Sequence, residues 1–198
     1  MDSEVTIIVA TYGSEMWRRM ALGRAVPSAK RQGYPVIHVH GNSLHEARNE
    51  GAEKALSEWL VFLDGDDELS DGYVDALLDG KGDLRVPRLM FTDDDQIWEP
   101  FDLRERDMMS GNPAPIGTMI RKEMFIQCGG FKDYPAWEDW SLFMRAYMLG
   151  AEVVHHDRAI YYALDRLHSR NKSVDNPNQL AKRIRKDNRE WLKSYYSL

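Results

Sequence analysis

A chain of 198 residues with 43% hydrophobic and 29% charged residues has the size and balance of one soluble globular domain with a substantial core. A formal net charge of −6 argues against nucleic acid as a main partner, and a single cysteine, Cys128, excludes an intrachain disulfide and points to a reducing compartment. No apolar run nears the ~20 residues of a membrane span and the N-terminus lacks a signal-peptide pattern, so a cytoplasmic protein with no membrane span is expected.

Val5–Ala10 (VTIIVA) is β-branched and uninterrupted, as suits a central parallel strand covered on both faces. It runs into Thr11, Tyr12 and Gly13 at the carboxyl edge, where open α/β sheets bind ligands; no G-x-G-x-x-G follows, so this is not a dinucleotide fingerprint. Helix is expected over parts of Ser14–Arg31, interrupted near Pro27. A second short strand, Pro35–His40, ends at Gly41, Asn42 and Ser43. Leu44, Ala47, Gly51, Ala55 and Trp59 then recur at helical spacing, the pattern of an amphipathic helix packed on a sheet. Strand, helix, strand, helix, strand is the signature of βαβ units, with a parallel sheet and right-handed crossovers.

The third strand carries the most chemistry. Trp59–Leu63 is too short for a helix of its own and apolar enough for a buried strand, and it opens directly onto Asp64, Gly65, Asp66 and Asp67. Carboxylates crowded at the end of a buried strand resist ionising together unless a cation sits among them. Magnesium or manganese, held by one or two carboxylates plus substrate phosphates, meets that need. A solvated acidic turn is the alternative for the same residues.

Beyond it, Ser70 is placed to cap a helix reaching about Leu78, which Gly80 and Gly82 end. Leu84–Phe91 reads as a strand in which Pro87 marks an edge or a bulge. Asp93, Asp94 and Asp95 read as a solvated turn. Asn112–Gly117 (NPAPIG) is a rigid loop and Thr118–Arg121 a short strand. One helical turn follows within Glu123–Phe131, where Cys128 reads as a small buried hydrophobe. Trp140, Phe143, Met144 and Tyr147 form an apolar stripe over Glu138–Leu149, with Glu138 and Asp139 in the first turn, where the helix dipole favours carboxylates. In the extended stretch Ala151–Tyr162, His155 and His156 point to opposite faces and cannot chelate one metal. His168 lies in a polar loop. Asn176 and Pro177 open a basic amphipathic helix with Leu180, Ile184, Trp191, Leu192 and Tyr195 on its apolar face.

Five stretches, in this order, resemble the family 2 glycosyltransferases, nucleotide-sugar-dependent enzymes. VTIIVATY at 5–12 is similar to the family's opening strand and nucleotide-contacting turn. SAKRQGYPVIHVHGNS at 28–43 resembles its S-x-x-x-Q segment and second strand. EARNEGAEKALSEWLVFLDGDDEL at 46–69 is similar to its A-R-N helix and L-D-x-D-D metal motif. MFIQCGGF at 124–131 with WEDWSLFMRAYMLG at 137–150 resembles its G-G-F and E-D elements, and YYALDRLHSRNKS at 161–173 its closing segment.

The resemblance implies an α/β, single-domain A-type glycosyltransferase fold: a Rossmann-like, mostly parallel central sheet flanked by helices. Residues 1–92 would form the nucleotide-sugar half, 93–174 the acceptor half and 175–198 a C-terminal helix. It further implies a metal-dependent, inverting transfer from a nucleotide-diphosphate sugar donor to an acceptor hydroxyl of unknown class. Asp66 and His168 would hold Mn2+ or Mg2+ at the diphosphate; Asp64 would lie at the ribose or the metal's outer shell, with Asp67 in support. Thr11, Tyr12 and Arg48 would line the nucleotide, and Asp139, next to Glu138, would be the general base. Base and metal on opposite sides of the sugar imply in-line displacement. One departure stands out: His40, Gly41, Asn42 and Ser43 replace the family's D-D-G-S, whose first aspartate reads uracil, so His40 or Asn42 falls to the base and the nucleotide is open. A chain this short for the family implies a minimal acceptor site, completed by a partner subunit if the protein is a homo-oligomer.

Three other classes compete for these residues. A haloacid-dehalogenase phosphatase expects Thr or Val where Glu68 stands, and an EF-hand needs glycine where Leu69 stands. A nucleotide-sugar-binding module without transfer activity is the non-enzyme alternative, separated from an enzyme by turnover and by the behaviour of Asp139→Asn.

Overall fold

The structure, a computed structural model, describes residues 4–92, 97–98, 107–164 and 173–197. Fifteen elements follow one another among them. The first half runs β1 (Val5–Tyr12), α1 (Glu15–Gly23), α2 (Ala25–Arg31), β2 (Val36–Gly41), α3 (Leu44–Lys54), β3 (Trp59–Asp64), β4 (Glu68–Leu69) and α4 (Tyr73–Leu78). The second runs β5 (Leu84–Thr92), β6 (Ile97–Trp98), β7 (Met119–Arg121), α5 (Lys122–Gln127), α6 (Glu138–Met148), β8 (Val153–Leu164) and α7 (Pro177–Tyr195).

The strands form one mixed sheet in the order β2-β1-β3-β7-β5-β8-β4, with β6 added to β5. The three long ladders, β1 with β2, β1 with β3 and β5 with β8, are parallel. The antiparallel ladders are short, with two paired positions each. This is the mostly parallel α/β sheet expected from the alternating pattern. Val5, Ile7, Ile8 and Val9 of β1 and Leu60, Val61 and Phe62 of β3 are all fully buried. Each such side chain removes enough apolar area from water to contribute about 1.5–3 kcal/mol, which is why these uninterrupted runs become central strands.

Several boundaries differ from the sequence expectation, each for a local reason. The break in the first helical region falls at Arg24 rather than near Pro27. Pro27 lies in the first turn of α2, where its missing N–H costs no helical bond. Trp59 opens β3 instead of closing a helix, because α3 stops at Lys54. Ser70 does not cap α4. Its backbone and hydroxyl exchange hydrogen bonds with Ile160 of β8, and Gly72, with φ +67°, takes the cap position. A left-handed φ of that kind is cheap only for glycine. At Pro87 the ladder with β8 shifts register, so β5 is an interior strand carrying a bulge, between β7 and β8. The C-terminal helix starts as expected: Asn176 Oδ1 accepts from the Gln179 N–H, and Pro177 is its first residue.

Candidate active site

The parallel pairing decides which residues meet. Because β1 lies between β2 and β3, Thr11 is registered against His40, and Ala10 against Asp64. Three strand ends therefore open at one carboxyl edge of the sheet, the edge where α/β folds bind ligands.

At the β1–β2 end, the buried Thr11 hydroxyl lies 3.2 Å from His38 Nε2 and 2.9 Å from His40 Nδ1. His38 and His40 stand two apart on β2 and so share a face. Burial, then the charges of Arg18 and His40, lower the pKa of His38. His40 and Asn42 are exposed, and Tyr12 is partly buried at the end of β1. Sequence reading picked out Thr11 and His40 but not His38, although its two-residue spacing from His40 was a usable signal.

At the end of β3 the acidic residues separate into different environments. Gly65 fits there because a Cβ would stand 2.6 Å from the Thr11 methyl. Asp64 accepts from Arg48 Nη2 at 2.5 Å. Asp67 is buried, accepting from Tyr161 Oη at 2.7 Å and from the Leu164 N–H at 2.8 Å. Tyr161 Oη in turn accepts from the Asp64 N–H at 3.2 Å. Burial, then the neighbouring Asp66 and Asp64 charges, push Asp67 well above the usual carboxylate range, against the pull of those two donors. Asp66 lies partly buried in the turn between them. The exit from this turn is held from α2: Ser28 Oγ accepts from the Leu69 N–H, and Gln32 bonds both the Ser70 carbonyl and the Val74 N–H. Those bonds give the S-x-x-x-Q spacing a physical role.

From the second half of the chain, α6 brings Glu138 and Asp139. Arg48 is 2% exposed, and its Nη1 donates to Glu138 Oε1 at 2.5 Å while Nη2 holds Asp64. Its guanidinium also lies 5.1 Å from the Phe131 ring centroid. Burial alone would lower the Arg48 pKa, but Asp64 and Glu138 outweigh it, so the group is held firmly charged. A buried cation needs such partners. Asn49, next to it, closes the G-G-F turn by exchanging two hydrogen bonds with the Phe131 backbone. Asp139 accepts from the Trp140 N–H at 2.7 Å and from Asn112 Nδ2 at 3.2 Å. Burial, then the Glu138 charge, raise its pKa to about 6, with Arg48 and the Trp140 N–H opposing. Trp137, immediately before, is a non-glycine residue at φ 60°, the kind of backbone strain that clusters at functional sites. The structure thus brings Arg48, Asp64, Glu138 and Asp139 into one electrostatic group and joins Asp64 to Asp67 through Tyr161. His168, along with Asp93, Asp94 and Asp95, lies outside the described residues.

Among the described residues, no group of three or more His, Cys, Asp and Glu side chains is arranged to enclose a cation. Magnesium and manganese are also held more openly, by a carboxylate completed by phosphate oxygens, and the partly buried Asp66 has the oxygen donors such an ion takes. Cys128 takes no part: it is fully buried, and burial pushes its thiol up to about 12. No helix among the described residues is long and apolar enough to cross a membrane.

Comparison with known proteins bears on this geometry. The model of glycosyl transferase family 2 matches residues 28–84, the segment from Ser28 through β2, α3, Arg48 and the acidic turn. No curated protein matches the sequence. Among solved structures, Staphylococcus aureus TarS 1–349 in complex with UDP-GlcNAc superposes with a TM-score of 0.71 at 14% identity, over 95% of this chain and 66% of that one. TarS 1–349 in complex with UDP gives a TM-score of 0.58 at 14% identity, over 100% of this chain and 72% of that one. At this identity the structural likeness carries the fold alone, and the chain spans about two thirds of the TarS fragment first compared. The family match falls on the segment that carries Arg48 and the acidic turn Asp64–Asp67, and over that segment the chain is similar to glycosyl transferase family 2.

Proposed function

We propose that the chain transfers a sugar from a nucleotide-diphosphate donor to an acceptor hydroxyl, with inversion at the anomeric carbon. The observation that carries this reading is the Arg48 bridge. It ties Asp64, at the end of β3, to Glu138, next to a second carboxylate whose pKa suits a general base.

Thr11, Tyr12, His40 and Asn42 would receive the nucleotide at the β1–β2 edge, with Asp64 toward the ribose and Arg48 and Asp67 holding that wall. Asp66, with His168 from the segment after β8, would hold Mn2+ or Mg2+ against the diphosphate. That ion would supply neutralisation of the charge building on the leaving group. Asp139 takes the proton of the acceptor hydroxyl as its oxygen attacks, and a carboxylate already engaged with a metal would serve poorly there. A UDP-sugar is the first donor to try, because TarS was solved with UDP-GlcNAc. His40 offers a ring nitrogen to the base where the family it resembles carries an aspartate.

The test is product formation from a panel of nucleotide sugars and hydroxyl acceptors, with manganese, for wild type and Asp139→Asn. Transfer with inverted configuration, lost in the variant while donor binding persists, supports the reading. Donor binding without turnover across the panel would instead favour a binding module.

A further inference from the structure

The loop before β7 is unusual in being buried. From Pro113 through Thr118 every residue is buried, and Pro113 and Pro115 fix their own φ angles. A loop normally runs over the surface because its backbone groups need water. At its entrance Asn112 Oδ1 accepts from the Ala114 N–H at 3.2 Å, an Asx turn that also orients the amide. With the oxygen committed to an N–H donor, the nitrogen end must face Asp139, and Nδ2 donates to Asp139 Oδ2 at 3.2 Å. The other carboxylate oxygen is taken by the Trp140 N–H. Each oxygen of Asp139 therefore has one fixed donor, one from its own helix and one from the rigid loop.

We infer that Asn112 is a positioning residue for Asp139, holding the carboxylate in its ionised form and aiming its remaining lone pairs at the acceptor hydroxyl. The inference deepens the reading of Asp139 as general base and rests on it. The charged groups facing Asp139 are Glu138 on its own helix, Arg48 from α3 and Asp64 from β3. Two of these three are anions, so a neutral N–H donor favours ionisation without adding another charge. Nothing in sequence spacing pointed to Asn112, because 27 residues separate it from Asp139.

The test needs no substrate. The carbon-13 carboxyl resonance of Asp139, assigned by its loss in Asp139→Asn, is titrated in wild type, Asn112→Ala and Asn112→Asp. Asn112→Asp keeps an oxygen for the Ala114 N–H, so the loop turn survives while the donor to Asp139 is lost. The midpoint should rise by about one pH unit in Asn112→Ala, because a donor to the charged form is gone. It should rise further in Asn112→Asp, where a carboxylate replaces that donor. Under turnover, the acid limb of the kcat/KM profile should move by the same amount with donor KM unchanged. A midpoint within a few tenths of a unit of wild type in a folded Asn112→Asp protein, or a fall in either variant, overturns the inference. Absence of transfer in every variant would count against the enzymatic reading and leave the titration result standing on its own.

Discussion

Arg48 and Glu138, 90 residues apart in sequence, meet through a 2.5 Å hydrogen bond in the interior, and the same guanidinium holds Asp64. Its side chain is 3% exposed and that of Glu138 6%, whereas Asp64 keeps 32%. Removing the cation would strand a buried carboxylate, and breaking such a pair costs about 3–5 kcal/mol. Arg48→Met should therefore destabilise by that order in urea unfolding. The double variant Arg48→Met with Glu138→Gln should recover about 1–2 kcal/mol relative to the sum of the single changes, because the two sites are coupled. Strict additivity would mean that the contact does not link the two halves energetically.

Asp139 yields a pH prediction with a definite sign. Its pKa is raised in the fold from 3.8 to about 6. Between those values the native state binds a proton that the unfolded chain has released, so stability falls as pH rises from about 4 to 6. Asp139→Asn should remove that slope and leave the variant more stable than wild type at pH 7, by on the order of 1–3 kcal/mol. Activity should run the other way. The wild-type rate should climb through about pH 6 as the base ionises, and the asparagine variant should lose roughly 10²–10⁴-fold. Thermal unfolding and rate profiles on the same two proteins check both halves.

Gly65 sits between Asp64 and Asp66, where a Cβ would stand 2.6 Å from the Thr11 methyl and 3.3 Å from the Ala21 Cβ. Both neighbours are buried, so Gly65→Ala should destabilise by about 1–3 kcal/mol through overpacking. It should also weaken nucleotide binding more than Gly23→Ala does, because relief of the clash shifts Thr11 away from His38 and His40. The added methyl at Gly23 meets nothing within 4 Å, and the backbone there is not left-handed. Equal affinity in the two variants would show that the Thr11 cluster does not bear on the nucleotide.

What was legible in the sequence follows from what has a local signature. β1 and β3 announce themselves as uninterrupted apolar runs, and α7 opens on the Asn176–Pro177 pair, so their types and positions follow from short-range physics. Ser70 illustrates the opposite case. It is a good capping residue by type, but a bond to Ile160, 90 residues away, claims its hydroxyl. In the site, Thr11, Arg48, Asp64, Asp66 and Asp139 were singled out by motif. His38, Tyr161 and Asn112 were missed because their contacts, with Thr11, Asp67 and Asp139, cross 27, 94 and 27 residues. The division of the acidic run was illegible for the same reason: Asp64 faces Arg48 and Asp67 faces Tyr161 only once the sheet and α3 are assembled.

The metal-assisted nucleotide-sugar site proposed at the end of β3 is tested most directly by calorimetric titration with a panel of nucleoside diphosphates. It is run with and without manganese on wild type and Asp66→Ala. One nucleotide should bind wild type strongly only when manganese is present, and Asp66→Ala should abolish this metal-dependent binding. Failure of every nucleotide to bind wild type under both conditions, or equal binding in the variant, would contradict it.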